Sequence, residues 1–156
     1  MSQVEARLAE IGITLGTYRE PPGRYVPTRL AGDLLFFAGQ LSAMEYDGVV
    51  EGFTGKLVSP ADVPRGAEAA RACAIGILSR ARTALGDLDR VRQIVRLTGY
   101  INAAPTFTDT HLVMNGCSDV LIHAFGEAGR HTRFAIGVAS LSFDTTVEVE
   151  CIMQVA

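Results

Sequence analysis

RFAIGVASLSFDTTVEVECIMQ, residues 133–154, is the stretch whose reading decides the fold. Two runs of period-two alternation flank a short polar break, the pattern of a β-hairpin with one dry face. In the first run Phe134, Ile136 and Val138 point one way, and Arg133, Ala135, Gly137 and Ala139 the other. In the second, Val147, Val149, Cys151 and Met153 are apolar, while Glu148, Glu150 and Gln154 share the opposite face. An arginine and two carboxylates thus fall on a face otherwise lined by alanine and glycine, where tiny side chains let another group approach closely. Matching the dry faces pairs Phe134, Ile136 and Val138 with Met153, Cys151 and Val149. That register leaves Arg133 and Glu148 on one face but about six residues apart, roughly 20 Å at the usual strand rise. If both serve one small ligand, they come from different subunits.

Working outward, residues 109–129 carry Leu112, Val113, Cys117, Val120, Leu121 and Phe125 at helical spacing. Asp109 or Thr110 stands at the start, and Gly126 and Gly129 at the end. Before it, residues 91–102 read as a strand with Val95, Leu97 and Ile101 on one side, and Gly99 among them predicts a close neighbour. A longer helix begins near Ser59-Pro60-Ala61-Asp62 and runs to Gly86. Its apolar face is Ala70, Cys73, Ala74, Ile77, Leu78, Ala81 and Leu85. Residues 25–40 give two short strands around Ala31-Gly32-Asp33, and the unbroken run from Leu34 to Phe37 predicts a strand covered on both faces. Residues 46–54 read as a loop, followed by a brief edge strand at Lys56-Leu57-Val58. At the N-terminus, Val4, Leu8 and Ile11 mark a short amphipathic helix closing near Gly12. A Gly/Pro-punctuated loop follows over residues 16–23, including Pro21-Pro22. The order β-β-α-β-α-β-β predicts an α+β sandwich with both helices on one face of a mainly antiparallel sheet. The whole chain, residues 1–156, reads as one domain, with residues 1–22 as an N-terminal helix-and-loop extension.

A formal charge of −3 supplies no global field for nucleic acid or anionic lipid, so nucleic acid is not an expected partner. No apolar run is long enough to span a membrane, and the first residues lack the layout of a signal peptide, which predicts a cytoplasmic protein. Cys73, Cys117 and Cys151 lie far apart at apolar positions and read as buried free thiols. His111, His123 and His131 have no ligand spacing and read as helix-surface or loop residues, so no metal is expected. Gly52-Phe53-Thr54-Gly55-Lys56 has the wrong spacing for a phosphate loop, and Leu57 stands where a magnesium-binding hydroxyl would be. No nucleophile–base pair is visible. By pattern alone Arg133 is either a solvated strand-edge residue or a bidentate carboxylate clamp, and Glu148 a surface carboxylate or a general base.

The stretches Tyr25-Val26-Pro27, Phe37-Ala38-Gly39-Gln40-Leu41, Val113-Met114-Asn115 and Arg133…Val138-Ala139…Val147-Glu148-Val149-Glu150 resemble the Rid family in order and spacing. These are the YjgF-like reactive intermediate deaminases, once called translation inhibitors. The resemblance covers the chain from about Gly23 to the C-terminus. It implies a chorismate-mutase-like fold and a homotrimer with clefts between subunits. It also implies cofactor-free hydrolysis of enamines or imines such as 2-aminoacrylate to 2-keto acids and ammonia. Carried over by position, Arg133 would grip the substrate carboxylate and Glu148 would hold or activate water. Tyr25, Gly39 and Asn115 would line the cleft. Ala38 and Ala135 stand at family positions that often hold a hydroxyl residue and a cysteine, the latter acting through backbone groups. These departures and the longer N-terminus mark a divergent subfamily. A non-catalytic trimeric binder of small carboxylates, or a regulatory protein, is the alternative.

Overall fold

The computed structural model describes residues 2–18 and 23–156; the Pro21-Pro22 loop lies outside them. The longest strand is β6, Val91–Asn102, and it lies inside the main sheet. On one side it pairs antiparallel with β8, Val147–Val155, and on the other parallel with β7, Thr132–Val138. Beyond β8 come β2, Leu34–Phe37, and β1, Thr28–Ala31, giving the order β1-β2-β8-β6-β7. The short β3, Gln40–Leu41, also pairs with β8. The connection from β6 to β7 is made by α3, Thr110–Phe125, because two parallel neighbours need a crossover.

Residues 133–154 are therefore not a hairpin. The eight residues between β7 and β8 carry the chain across β6, a link longer than tight hairpins use. The face assignment changes with it. Leu97 of β6 stands between Arg133 and Cys151, and Gly99 between Ala135 and Val149. Arg133, Ala135 and Gly137 thus share the helix-covered face with Cys151 and Val149. Phe134 and Ile136 lie on the open face, 59% and 41% exposed. On that face Ala135 packs against the core, and Thr110 Oγ1 of α3 donates to its carbonyl at 3.0 Å. The run from Leu34 to Phe37 is likewise covered on one face only, with Leu35 and Phe37 buried and Phe36 on the open face.

Both long helices pack on the other face. In α2, Val63–Leu85, the first turn follows a 3-10 turn at Pro60–Asp62, where the Asp62 carboxylate accepts the N–H groups of Val58 and Ser59. Gly86, at φ 75°, closes it. Ile77, Leu78, Val113, Met114 and Leu121 meet Leu97, Ile101, Val147, Val149 and Met153 in the core. The three cysteines are buried there as free thiols. Gly99 lies against the Met114 thioether, the close neighbour its sequence position requires. Val95 departs from the expected row because the β6–β8 register shifts between Ile94 and Arg96.

Residues 43–52, which overlap the loop expected over residues 46–54, form a second hairpin from β4, Ala43–Tyr46, and β5, Val49–Gly52. Asp47 and Gly48 both have positive φ, 52° and 81°, the requirement of a tight two-residue hairpin turn. At the N-terminus, α1, Gln3–Glu10, buries Val4 and Leu8. Ser2 and Glu5 form a capping box, and Asp89 accepts the N–H groups of Gln3 and Val4 at 2.9 and 3.1 Å. No helix among the described residues is long and apolar enough to cross a membrane.

The tightest helix contact is at Gly116 of α3, where an added Cβ would run into the backbone carbonyl of Ala67 on α2. A backbone oxygen cannot rotate away. Gly116→Ala is therefore expected to lose stability by about 1–3 kcal/mol through overpacking, outweighing the helix-propensity gain of about 1 kcal/mol. Urea unfolding reads this directly: the midpoint falls, and an unchanged or higher midpoint would refute the close approach.

Candidate functional site

Arg133 projects from β7 onto α3. Its Nη1 donates to Asn115 Oδ1 at 2.9 Å and to Ser118 Oγ at 3.0 Å, and its Nη2 donates to the His111 carbonyl at 3.0 Å. These partners are spaced four and three residues apart, one stripe of a helix. A guanidinium has five N–H donors; the Nε hydrogen and the second Nη2 hydrogen have no partner among the described residues. Two donors on one planar group suit a carboxylate fork. Asn115 and His111 are exposed, Arg133 half-buried, so the cluster opens to solvent. Ala135 lies on the same face of the strand, its carbonyl held by Thr110. Beneath them, burial pushes the Cys117 thiol up to about 12 against the opposing pull of Arg133, so it stays protonated.

Glu148 stands elsewhere. It points from β8 to the open face of the sheet, opposite Leu41 on one side and Tyr100 on the other. Tyr25, Gly39, Met44 and Phe143 join Glu148 around a cleft of about 350 Å³. Gly39 lets the Glu148 carboxylate lie close against the backbone, since a Cβ there would push that side chain aside. Desolvation raises the Glu148 pKa, the charge of Glu150 adds to that, and Arg80 opposes it. Arg80 is only 3% exposed. Its Nη1 donates to the carbonyls of Ala38 and Gly39 at 2.8 and 3.4 Å, while its Nε lacks an acceptor among the described residues. Ala38 thus enters through its backbone, fixing the turn that presents Gly39. On the far wall Phe143 and Asp144 both adopt positive φ, 56° and 52°. They are held there by the Asn102 Nδ2 donation to Asp144 Oδ1 at 2.8 Å and the Gly55 N–H donation to the Asp144 carbonyl at 2.7 Å, an over-determination that strained residues need.

The expected site residues therefore fall into two groups: Arg133, Asn115 and Ala135 around α3, and Tyr25, Gly39 and Glu148, with Ala38 behind, on the open face. Arg133 and Glu148 do not share a face. They lie two strands and three residues apart, about 14 Å between Cα atoms at standard spacings, with the sheet between their side chains. Ser118, His131, Arg80 and Phe143 were not expected. Ser118 was visible as the next residue on the stripe of His111 and Asn115, whereas nothing local marks Arg80. His131 is not a bare loop residue: Nε2 meets Ser118 Oγ at 3.0 Å and Nδ1 meets the Gly129 carbonyl at 2.6 Å. Among the described residues, no cluster of three His, Cys, Asp or Glu side chains could hold a metal ion.

This architecture has known counterparts. Protein TCP17 of Trypanosoma cruzi is 40% identical over 153 residues, 97% of this chain and 94% of that protein. The crystal structure of protein Atu1372 from Agrobacterium tumefaciens superposes with a TM-score of 0.87 at 39% identity, covering 98% of this chain and 92% of that one. RidA of the Antarctic bacterium Psychrobacter shares the fold at 21% identity and a TM-score of 0.59, over 89% and 94% of the two chains. The family model described as "YjgF/chorismate_mutase-like, putative endoribonuclease" matches residues 5–152. The chain belongs to the YjgF/chorismate-mutase-like family.

Proposed function

We propose that the protein hydrolyses reactive enamines and imines bearing a carboxylate, 2-aminoacrylate among them, to 2-keto acids and ammonia, in clefts completed between the subunits of a homotrimer. The observation that carries this reading is the separation of the two half-sites. A carboxylate clamp on the helix side and a carboxylate of raised pKa on the open side cannot meet within one chain. An adjacent copy that brings its Arg133 edge to the Glu148 cleft makes one complete site. The open face supports such a contact, since Phe36, Phe134, Ile136 and Ile152 form an apolar surface on it and the Arg96 guanidinium lies 5.4 Å from the Phe134 ring centroid.

The chemistry asks little of the protein. The enamine takes a proton at carbon to give the imine, whose protonated form is already electrophilic at C2. Water adds there as Glu148 removes its proton, forming a carbinolamine. The proton then passes to nitrogen, the C–N bond breaks, and ammonia leaves the 2-keto acid. Arg133 fixes the carboxylate throughout, and positioning with general acid–base help accounts for the rate. The half-buried setting of Glu148 suits it, because a raised pKa makes a better proton acceptor. Kinship with RidA in fold agrees with this reading; the family's endoribonuclease description supplies the competing one, and RNA cleavage by the purified protein would favour that.

Arg133→Ala is expected to lower ammonia release from freshly generated 2-aminoacrylate at least a hundredfold while sedimentation still shows a trimer. Unchanged release would remove the clamp. Mixing Arg133→Ala and Glu148→Gln subunits, each inactive alone, should restore about a quarter of the parental activity, because every mixed closed three-fold ring regains one intact cleft. No recovery after verified subunit exchange would rule out the shared cleft. Glu148→Gln carries a further signature. Because the folded pKa is raised, the acid's contribution to stability is present below its ordinary value and lost as pH rises through the folded one. The glutamine variant should thus unfold at an equal or higher temperature than the parent at pH 7, with the difference vanishing near pH 4; lower thermal stability at pH 7 would contradict it.

A further inference from the structure

We propose that Ser118 and His131 are positioning residues for Arg133, a hydroxyl–imidazole relay that fixes the orientation in which its guanidinium takes a small carboxylate. The inference rests on Arg133 being the clamp described above, and adds how that clamp is held.

The polarity of the relay follows from its far end. The Gly129 carbonyl can only accept, so the 2.6 Å contact requires the hydrogen on His131 Nδ1. In the neutral ring Nε2 is then an acceptor, and at 3.0 Å it takes the Ser118 hydroxyl hydrogen. With its hydrogen committed, Ser118 Oγ presents lone pairs, and Arg133 Nη1 donates into one at 3.0 Å. A helical serine otherwise turns its hydroxyl back to the carbonyl four residues earlier; the imidazole prevents that drift. Asn115 Oδ1 and the His111 carbonyl complete the cradle. Each partner on α3 lies on one stripe of a packed helix, so the guanidinium is referenced to a rigid element, and a fixed fork loses less freedom when it binds.

The ring's neutrality has a physical source. Burial lowers the His131 pKa, and the charge of Arg133 lowers it further, against a raising contribution from the Gly129 hydrogen bond. Other charges on the surrounding elements are turned away or paired. Glu127 and Arg130 join each other at 3.1 Å on the surface, Asp119 of α3 is exposed, and Arg96 of β6 lies over Phe134 on the open face. Ser118 is itself 7% exposed, so its oxygen has few water partners to fall back on.

The probe is 2-oxobutanoate, a small 2-keto acid, titrated into the full chain by calorimetry beside its methyl ester. Ser118→Ala and His131→Phe should each weaken 2-oxobutanoate binding about tenfold, the loss of one hydrogen bond to a charged group. The double variant should be little worse than either single, since both break the same chain. Ser118→Thr should restore affinity, the methyl ester should be indifferent throughout, and turnover should show a raised KM with kcat nearly held. The parent protein gives a test free of folding artefacts: nitrogen-15 spectra of the His131 ring should show Nδ1 protonated and Nε2 bare. An Nε2–H tautomer, additive single effects, or undiminished 2-oxobutanoate affinity in Ser118→Ala while Arg133→Ala loses it would overturn the relay and leave the clamp standing. Undiminished affinity in Arg133→Ala would overturn both.

Discussion

The structure depends on one act of insertion, the placing of β6 between β7 and β8. A strand with two neighbours imposes its own alternation on both, because residues directly opposite one another point to the same face. Leu97 and Gly99 face the helices, so Arg133 and Ala135 on one side and Cys151 and Val149 on the other must face them too. Glu148 opposes Tyr100, an intervening position, and is turned outward. Had β7 and β8 paired directly, the two charges would have shared a face along one ribbon. With β6 between them they are separated by the sheet, and no side-chain rotation reunites them.

The parts of the fold legible in the sequence are those whose signals are local. The α2 and α3 stripes, the glycines at 86 and 126 that end them, and the twelve residues of β6 all follow from periodicity and caps. The final strands were misread because alternation states that one face is apolar and is silent about what covers it. Phe134 and Ile136 are apolar toward the open face, whereas Ala135 opposite them packs against the core on the helix side. The eight-residue gap before β8 was the available warning. Asp47-Gly48 was another legible signal, a turn pair flanked by strand-forming residues. Arg80 belongs to a different class. It meets the Ala38 and Gly39 carbonyls from forty residues away, and only the packing of α2 on the sheet brings it there.

Within the candidate site, the two halves are built on different principles. The Arg133 half is a cradle of short hydrogen bonds from one helix. The Glu148 half accepts unfavourable electrostatics: a carboxylate pressed against Gly39, near a second carboxylate at Glu150, with Arg80 as partial relief. Arg80 itself is a buried cation whose Nε lacks an acceptor among the described residues, though its guanidinium lies over the Tyr18 ring; burying a charge costs unless it is fully paired. Backbone strain at Phe143 and Asp144 adds to the same region. Several local rules fail together around this cleft, which is where a functional site is expected.

The same separation of halves limits how copies can combine. An isologous dimer through the open faces alone would leave both Arg133 side chains behind the sheets. It would complete no cleft. The proposed cleft sets the β7–α3 edge of one chain against the open face of the next, a heterologous contact. Such contacts either propagate or close into a ring. The chain alone leaves Phe36, Phe134 and Ile136 bare on this face; in the proposed closed ring every open face would have a neighbour, and every Arg133 a Glu148 that is not its own.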